Sequence, residues 1–147
     1  MQRKAHAASK EDFLDAHERH WHDATLLYKN HRLANADYLY GLSAECGLKA
    51  VMTALDPGTL SPRGGLRRKY KQHIDQLWST FISLAHARQG AQYVAILGSE
   101  NPFADWRIDQ RYSPQRLFHQ ESVKAHSEGA NRIRQLVHQA RLDGILP

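Results

Sequence analysis

Apolar positions recur along most of this chain at steps of three and four residues, the spacing that lines one face of a helix. In residues 13–30 the set Phe13, Ala16, His20, Ala24, Leu27 and Tyr28 marks an amphipathic helix with a charged opposite side. Ser9 and Asp12 stand where a capping pair would begin it. A short break at residues 29–32 leads into NADYLYGLSAECGLKAVM, Asn35 to Met52, whose apolar residues keep to no single stripe. A helix apolar nearly all round is a central, buried one. Within it Glu45 precedes Lys49 by one turn, the favourable order for an ion pair, and burial would make each charge require the other. Gly41 and Gly47 weaken the helix intrinsically and point to another helix backbone passing close by.

The breaker cluster Asp56–Pro57–Gly58 ends that helix. A third helix is predicted from His73 or Ile74 to about Arg88, with Leu77, Trp78, Phe81, Ile82 and Leu84 inward. AQYVAILG fits a short helix, because the chain offers it no sheet partner. Residues 99–115 form a long connection carrying Phe103, Trp106 and Tyr112, and long connections in compact domains are commonly functional. Its arginines, Arg107 and Arg111, either bind a ligand or pair with Asp105 and Asp109 while Trp106 pins the segment. A last helix follows from Pro114 or Leu117 to Leu142, burying Val123, Ala130, Ile133, Leu136, Val137 and Ala140 and ending at Gly144. The expected fold is an all-α, four- to five-helix up-and-down bundle: a tail at 1–9 and one domain at 10–147.

Composition narrows the functional classes. A chain of 147 residues can bury an adequate core without disulfides. The single cysteine, Cys46, lies in the apolar helix and is expected to be buried and unreactive. No signal peptide or membrane span is apparent, so a cytoplasmic location is the default expectation. Twenty Lys and Arg against fifteen Asp and Glu give a net charge of +5, which permits an anionic partner. The basic residues concentrate in DPGTLSPRGGLRRKYKQ, where Arg63, Arg67, Arg68, Lys69 and Lys71 meet no acid after Asp56. That segment is either a solvated loop or a phosphate-contacting one. His17, His20 and His22 lack the cysteines or carboxylates that would complete a metal site and read as surface residues. No metal or cofactor is expected.

The stretch AHERHWHDATLLYKNHRLANADYLYGLSAECGLKAVM resembles the first two helices of HEPN proteins, the higher eukaryotes and prokaryotes nucleotide-binding superfamily. His73 before IDQLW, and WRIDQRY before the final helix, are similar to the same family. The resemblance implies a helical bundle, commonly a homodimer, in one of two roles. One is a non-catalytic module of a toxin–antitoxin or defence system that binds nucleotide, RNA or a partner such as a nucleotidyltransferase or antitoxin. The other is a metal-independent endoribonuclease of single-stranded RNA, with an arginine stabilising the phosphate and a histidine moving the proton of the 2′-hydroxyl. Arg111 and His119 are the catalytic candidates implied, although they lie eight positions apart, against a family gap of about four to six. Arg116, the pair Arg132 and His138, and the pair Arg68 and His73 fit less well, by spacing or by place. Glu45, Lys49, His73, Arg107 and Tyr112 are the candidate ligand-binding residues.

Overall fold

The computed structural model describes residues 11–147, and the regular elements within them are all helices. Five α-helices form: α1 (Phe13–Lys29), α2 (Leu33–Leu55), α3 (Ile74–Ala87), α4 (Ala91–Leu97) and α5 (Gln120–Leu142). Short 3-10 turns occupy Pro57–Thr59, Arg68–Tyr70, Ile108–Tyr112 and Gln115–Leu117. Among the described residues no strand forms; Leu60 and Leu66 make an isolated antiparallel bridge. No helix here is long and apolar enough to cross a membrane.

The helix starts and stops follow local chemistry. Asp12, at the N-cap of α1, accepts from the Asp15 backbone N–H at 2.9 Å, satisfying one of the free donors of the first turn. The expected tail at 1–9, with the cap at Ser9, lies outside the described residues. His31, at φ 59°, turns the chain into α2. The α1–α2 hairpin is antiparallel: Thr25 bonds Tyr40 at 3.0 Å, while His17 lies against Ser43. The last helix starts later than the pattern suggests. Residues 115–117 form a separate 3-10 turn, and α5 begins only after His119, which lies at its N-cap.

Helix α2 carries the core, with thirteen buried residues on all its sides. Around it Trp78, Phe81, Tyr93, Phe103, Trp106, Ile133 and Leu136 close the interior. The order of directions departs from simple up-and-down alternation. Glu45 meets His73, at the head of α3, and Asp56 meets Arg88, at its end, so α3 runs in the same sense as α2. Asp37 meets His126, and Gly47 lies beneath Ile133, so α5 also runs with α2. The connection 56–73 carries the chain from the end of α2 back to the level of Glu45, and α4, antiparallel to α5 through Tyr93–Asp143 and Leu97–Arg132, together with residues 98–119 carries it back to the head of α5.

Both α2 glycines do make room, but for side chains rather than a helix backbone. A Cβ on Gly41 would overlap the Trp106 ring, and one on Gly47 would lie 2.5 Å from Ile133 and 2.8 Å from His17. His17 is fully buried, so it is no surface residue; in the α1 stripe it takes the place expected of His20, which is only half-buried. Cys46 is half-buried rather than sealed inside, and burial still pushes its thiol up to about 12.

Candidate functional site

The connection between α4 and α5 is the least regular part of the fold and is held by a buried polar network. Trp106 lies across Gly41, stacks on Tyr38 at 5.9 Å and donates its indole N–H to the Asp37 carbonyl at 3.2 Å. The Asp37 side chain, in a residue only 2% exposed, faces His126 Nδ1 at 2.5 Å and accepts from the Gln110 amide at 2.6 Å. The other ring nitrogen, Nε2, faces the Asp105 carboxylate at 2.8 Å. Phe103 stacks on the imidazole at 5.2 Å. Carboxylates only accept, so an imidazolium that donates through both nitrogens fits this arrangement. Burial opposes that charge, but the bonds and charges of Asp37 and Asp105 outweigh it and hold the His126 pKa above 6.5. Asp105 is largely in solvent, at 74% side-chain exposure, so the network connects the core to the surface.

A second polar cluster lies further along α2. Glu45 accepts from the Lys49 ammonium at 2.8 Å on one oxygen, and His73 Nδ1 lies 3.1 Å from the other. Lys49 also lies 5.8 Å above the Phe13 ring. Both charges are more than nine-tenths buried, while about half of the His73 side chain is in solvent. The pair expected from the sequence therefore forms, and His73 joins it. Glu45 and Lys49 satisfy one another within the bundle, which is the arrangement a paired buried charge requires.

The arginines expected beside them are elsewhere. Arg107 donates to the Ala104 and Trp106 carbonyls at 2.9 Å and approaches Asp75 at 3.5 Å; it pairs with neither Asp105 nor Asp109. Asp105 is taken by His126. Arg111 donates to the Tyr38 hydroxyl at 3.2 Å and lies 5.0 Å from the ring of Tyr112, which is 78% exposed. His119 stands exposed at the head of α5, and no hydrogen bond joins it to Arg111 within the chain. Two groups therefore emerge from the candidate ligand-binding residues: Glu45, Lys49 and His73 meet, whereas Arg107 and Tyr112 lie apart from them on the connection.

The basic connection is folded rather than loose. Its Leu60–Leu66 bridge is continued by the Arg67 N–H donating to the Thr59 carbonyl at 2.8 Å, and Leu66 and Thr59 are buried. Arg67 Nε donates to the Gly58 carbonyl at 2.9 Å, and the Lys69 ammonium lies 5.2 Å from the Tyr70 ring. Arg63, Arg67, Arg68, Lys69 and Lys71 are all exposed, and none of them makes an ion pair with a carboxylate of the described residues. Their charge is available to a phosphate.

Asp37, Asp105, Gln110 and His126 are not among the candidate functional residues read from the sequence. Part of the signal was present: His126 falls three after Val123 and four before Ala130, in register with the buried stripe of α5, and Asp37 precedes buried Ala44 by two turns. A polar residue in the core register is a demand for a partner. The partners Asp105 and Gln110 lie on a connection whose path periodicity does not describe. Comparison with family models, with curated proteins and with solved structures gives no match for this chain.

Proposed function

We propose that the protein is a HEPN-like helical module that binds RNA or nucleotides as a homodimer, within a toxin–antitoxin or defence system whose nucleotidyltransferase or antitoxin is its protein partner. The observation that carries the ligand part of this reading is the folded connection 60–71, which presents five exposed cations with no carboxylate partner among the described residues. A rigid presentation lowers the ordering cost of binding, and the excess of positive charge matches a polyphosphate backbone.

The test is fluorescence anisotropy of a labelled single-stranded RNA at rising salt. Wild type is expected to lose affinity steeply with salt. A variant carrying Arg63→Ala, Arg68→Ala, Lys69→Ala and Lys71→Ala is expected to bind at least about tenfold more weakly, with the log–log slope reduced by about 0.7 for each phosphate no longer neutralised. Absence of salt-dependent binding by wild type refutes the reading. The alternative, a metal-independent ribonuclease, draws on a separate observation: Arg111 and His119 are both exposed at the approach to α5, open to a substrate or a second copy. It predicts RNA cleavage in chelator that Arg111→Ala and His119→Ala each abolish.

A further inference from the structure

The outer face of α3 and the basic connection border an open, shallow groove that sequence patterns alone do not mark. Its volume is about 590 Å³, within the range that small ligands and cofactors fill. Lys69, Arg88 and Asp56 are among the residues that line it. Asp56 is already neutralised: one oxygen accepts from the Gly58 N–H at 2.9 Å and the other from Arg88 at 3.1 Å. Arg88 keeps further guanidinium donors. The Lys69 ammonium, held over Tyr70, has no carboxylate partner among the described residues. Ser79 and Ser83, one turn apart on α3, also line the groove; both are exposed and make no side-chain hydrogen bond within the described residues, whereas Thr80 donates to Gln72 at 2.8 Å. Tyr70, Leu84 and Ala87 supply an apolar wall.

Three other clefts of similar volume lack this combination. One is lined by Glu11 and Asp12, which would repel an anion. Another offers Arg134, whose guanidinium is engaged by Glu18 at 2.8 Å and covered by Trp21 at 4.0 Å. The third shares Arg88 but faces Asp143. Only the α3 groove, of these four, joins a cation without a carboxylate, two unengaged hydroxyls and an apolar wall.

We infer that this groove is a nucleoside monophosphate site, with the phosphate on Lys69 and Arg88, the ribose hydroxyls on Ser79 and Ser83, and the base against Tyr70, Leu84 and Ala87. The inference rests on the RNA- or nucleotide-binding reading above and gives it a location. The same chemical unit comes either as a free nucleotide or as one residue of an RNA strand, and separate arms of the test distinguish these sources.

Calorimetric titration of the full chain with AMP, with inorganic phosphate and with a ten-nucleotide single-stranded RNA tests it, alongside circular dichroism to verify folding. Wild type is expected to bind AMP saturably and more tightly than phosphate. Ser83→Trp, at an exposed position, fills the groove and is expected to weaken AMP binding more than tenfold. Lys69→Ala removes one charge-assisted contact and is expected to weaken it about tenfold. Glu128→Ala, on the exposed side of α5, leaves AMP affinity unchanged. RNA binding that falls in parallel with AMP binding in Ser83→Trp identifies the strand as a source of the bound unit; RNA binding unchanged in that variant identifies the free nucleotide. Wild type that fails to bind AMP, or variants that bind it as wild type does, overturns the groove. If RNA is still bound with salt dependence in that case, the module reading survives without the groove; if RNA is not bound either, both fall.

Discussion

Two buried histidines sit against the same helix and make opposite demands on charge. His17, on α1, points its Nδ1 at the Ser43 carbonyl at 2.8 Å, so that nitrogen carries the proton. Its Nε2 is buried without a partner among the described residues. A second proton there would be an unsatisfied donor in an apolar contact, and burial pushes the pKa below 6.5, with the Ser43 bond only partly offsetting it. The ionic groups around it, Glu18 of α1 and Arg134 and Arg141 of α5, largely satisfy one another. His126 is nearly as buried, yet both of its nitrogens face carboxylates and the charged ring is favoured. What decides the protonation of a core histidine is therefore the chemistry aimed at its two nitrogens, with burial entering equally in both cases. The first interface is a neutral helix contact. The second is an ionic fastening of an irregular connection.

That contrast is broken most severely from the ionic side. Asp37→Ala leaves an imidazolium-favouring pocket with one carboxylate and releases Gln110, and removal of one partner of a buried ion pair costs about 3–5 kcal/mol. Urea denaturation is expected to show that loss. The double substitution Asp37→Leu with His126→Leu, which removes both charges, is expected to recover much of it, because an apolar pair avoids the desolvation that the ion pair must offset. A double variant no more stable than Asp37→Ala would show that the connection depends on more than this network.

The glycines beneath the two interfaces come next. Gly41→Ala drives a methyl into Trp106, a rigid indole that cannot step aside, while Gly47→Ala meets the Ile133 methyl at 2.5 Å and the His17 ring at 2.8 Å. Overpacking of this kind costs about 1–3 kcal/mol, against which Ala recovers up to about 1 kcal/mol of helix propensity. The expected outcome is destabilisation by both, with a red shift of tryptophan emission larger in Gly41→Ala, where the displaced group is Trp106 itself. Equal emission in the two variants would place the adjustment in α2 instead of the connection.

These interfaces also show where the sequence was readable. Helix α3 lies where its Leu77, Trp78 and Phe81 pattern puts it, with His73 and Arg88 at its two ends, and AQYVAILG is helical. Glu45 and Lys49 met because their spacing on one helix guarantees proximity. The start of α5 was misplaced because nothing in periodicity separates the 3-10 turn of Gln115–Leu117 from a first helical turn. The alternative that paired Arg107 with Asp105 or Asp109 fails for a related reason: it rested on nearness in sequence, whereas packing brought Asp75 of α3 to the arginine and His126 of α5 to Asp105. Direction was also hidden, since the long connection 56–73 sets α3 parallel to α2 by a path that hydrophobic spacing does not encode. Local pairings were legible; pairings across connections were not.

The finest probe of the contrast is pH, where the two histidines act with opposite sign. His17 has a lowered pKa in the folded chain, so the unfolded chain binds its proton first and stability falls as pH drops from above 6.5 toward the folded value. His126 has a raised pKa, so its stabilisation is complete below 6.5 and is lost as pH rises through the higher folded value. Stability measured by urea denaturation across this range is expected to carry both slopes. His17→Leu should flatten the acid limb and leave the alkaline one, and His126→Leu should do the reverse, whatever each does to stability at neutral pH. An alkaline limb that survives in His126→Leu would show that the ring is not held charged by Asp37 and Asp105, and the distinction between the two interfaces would then rest on geometry alone.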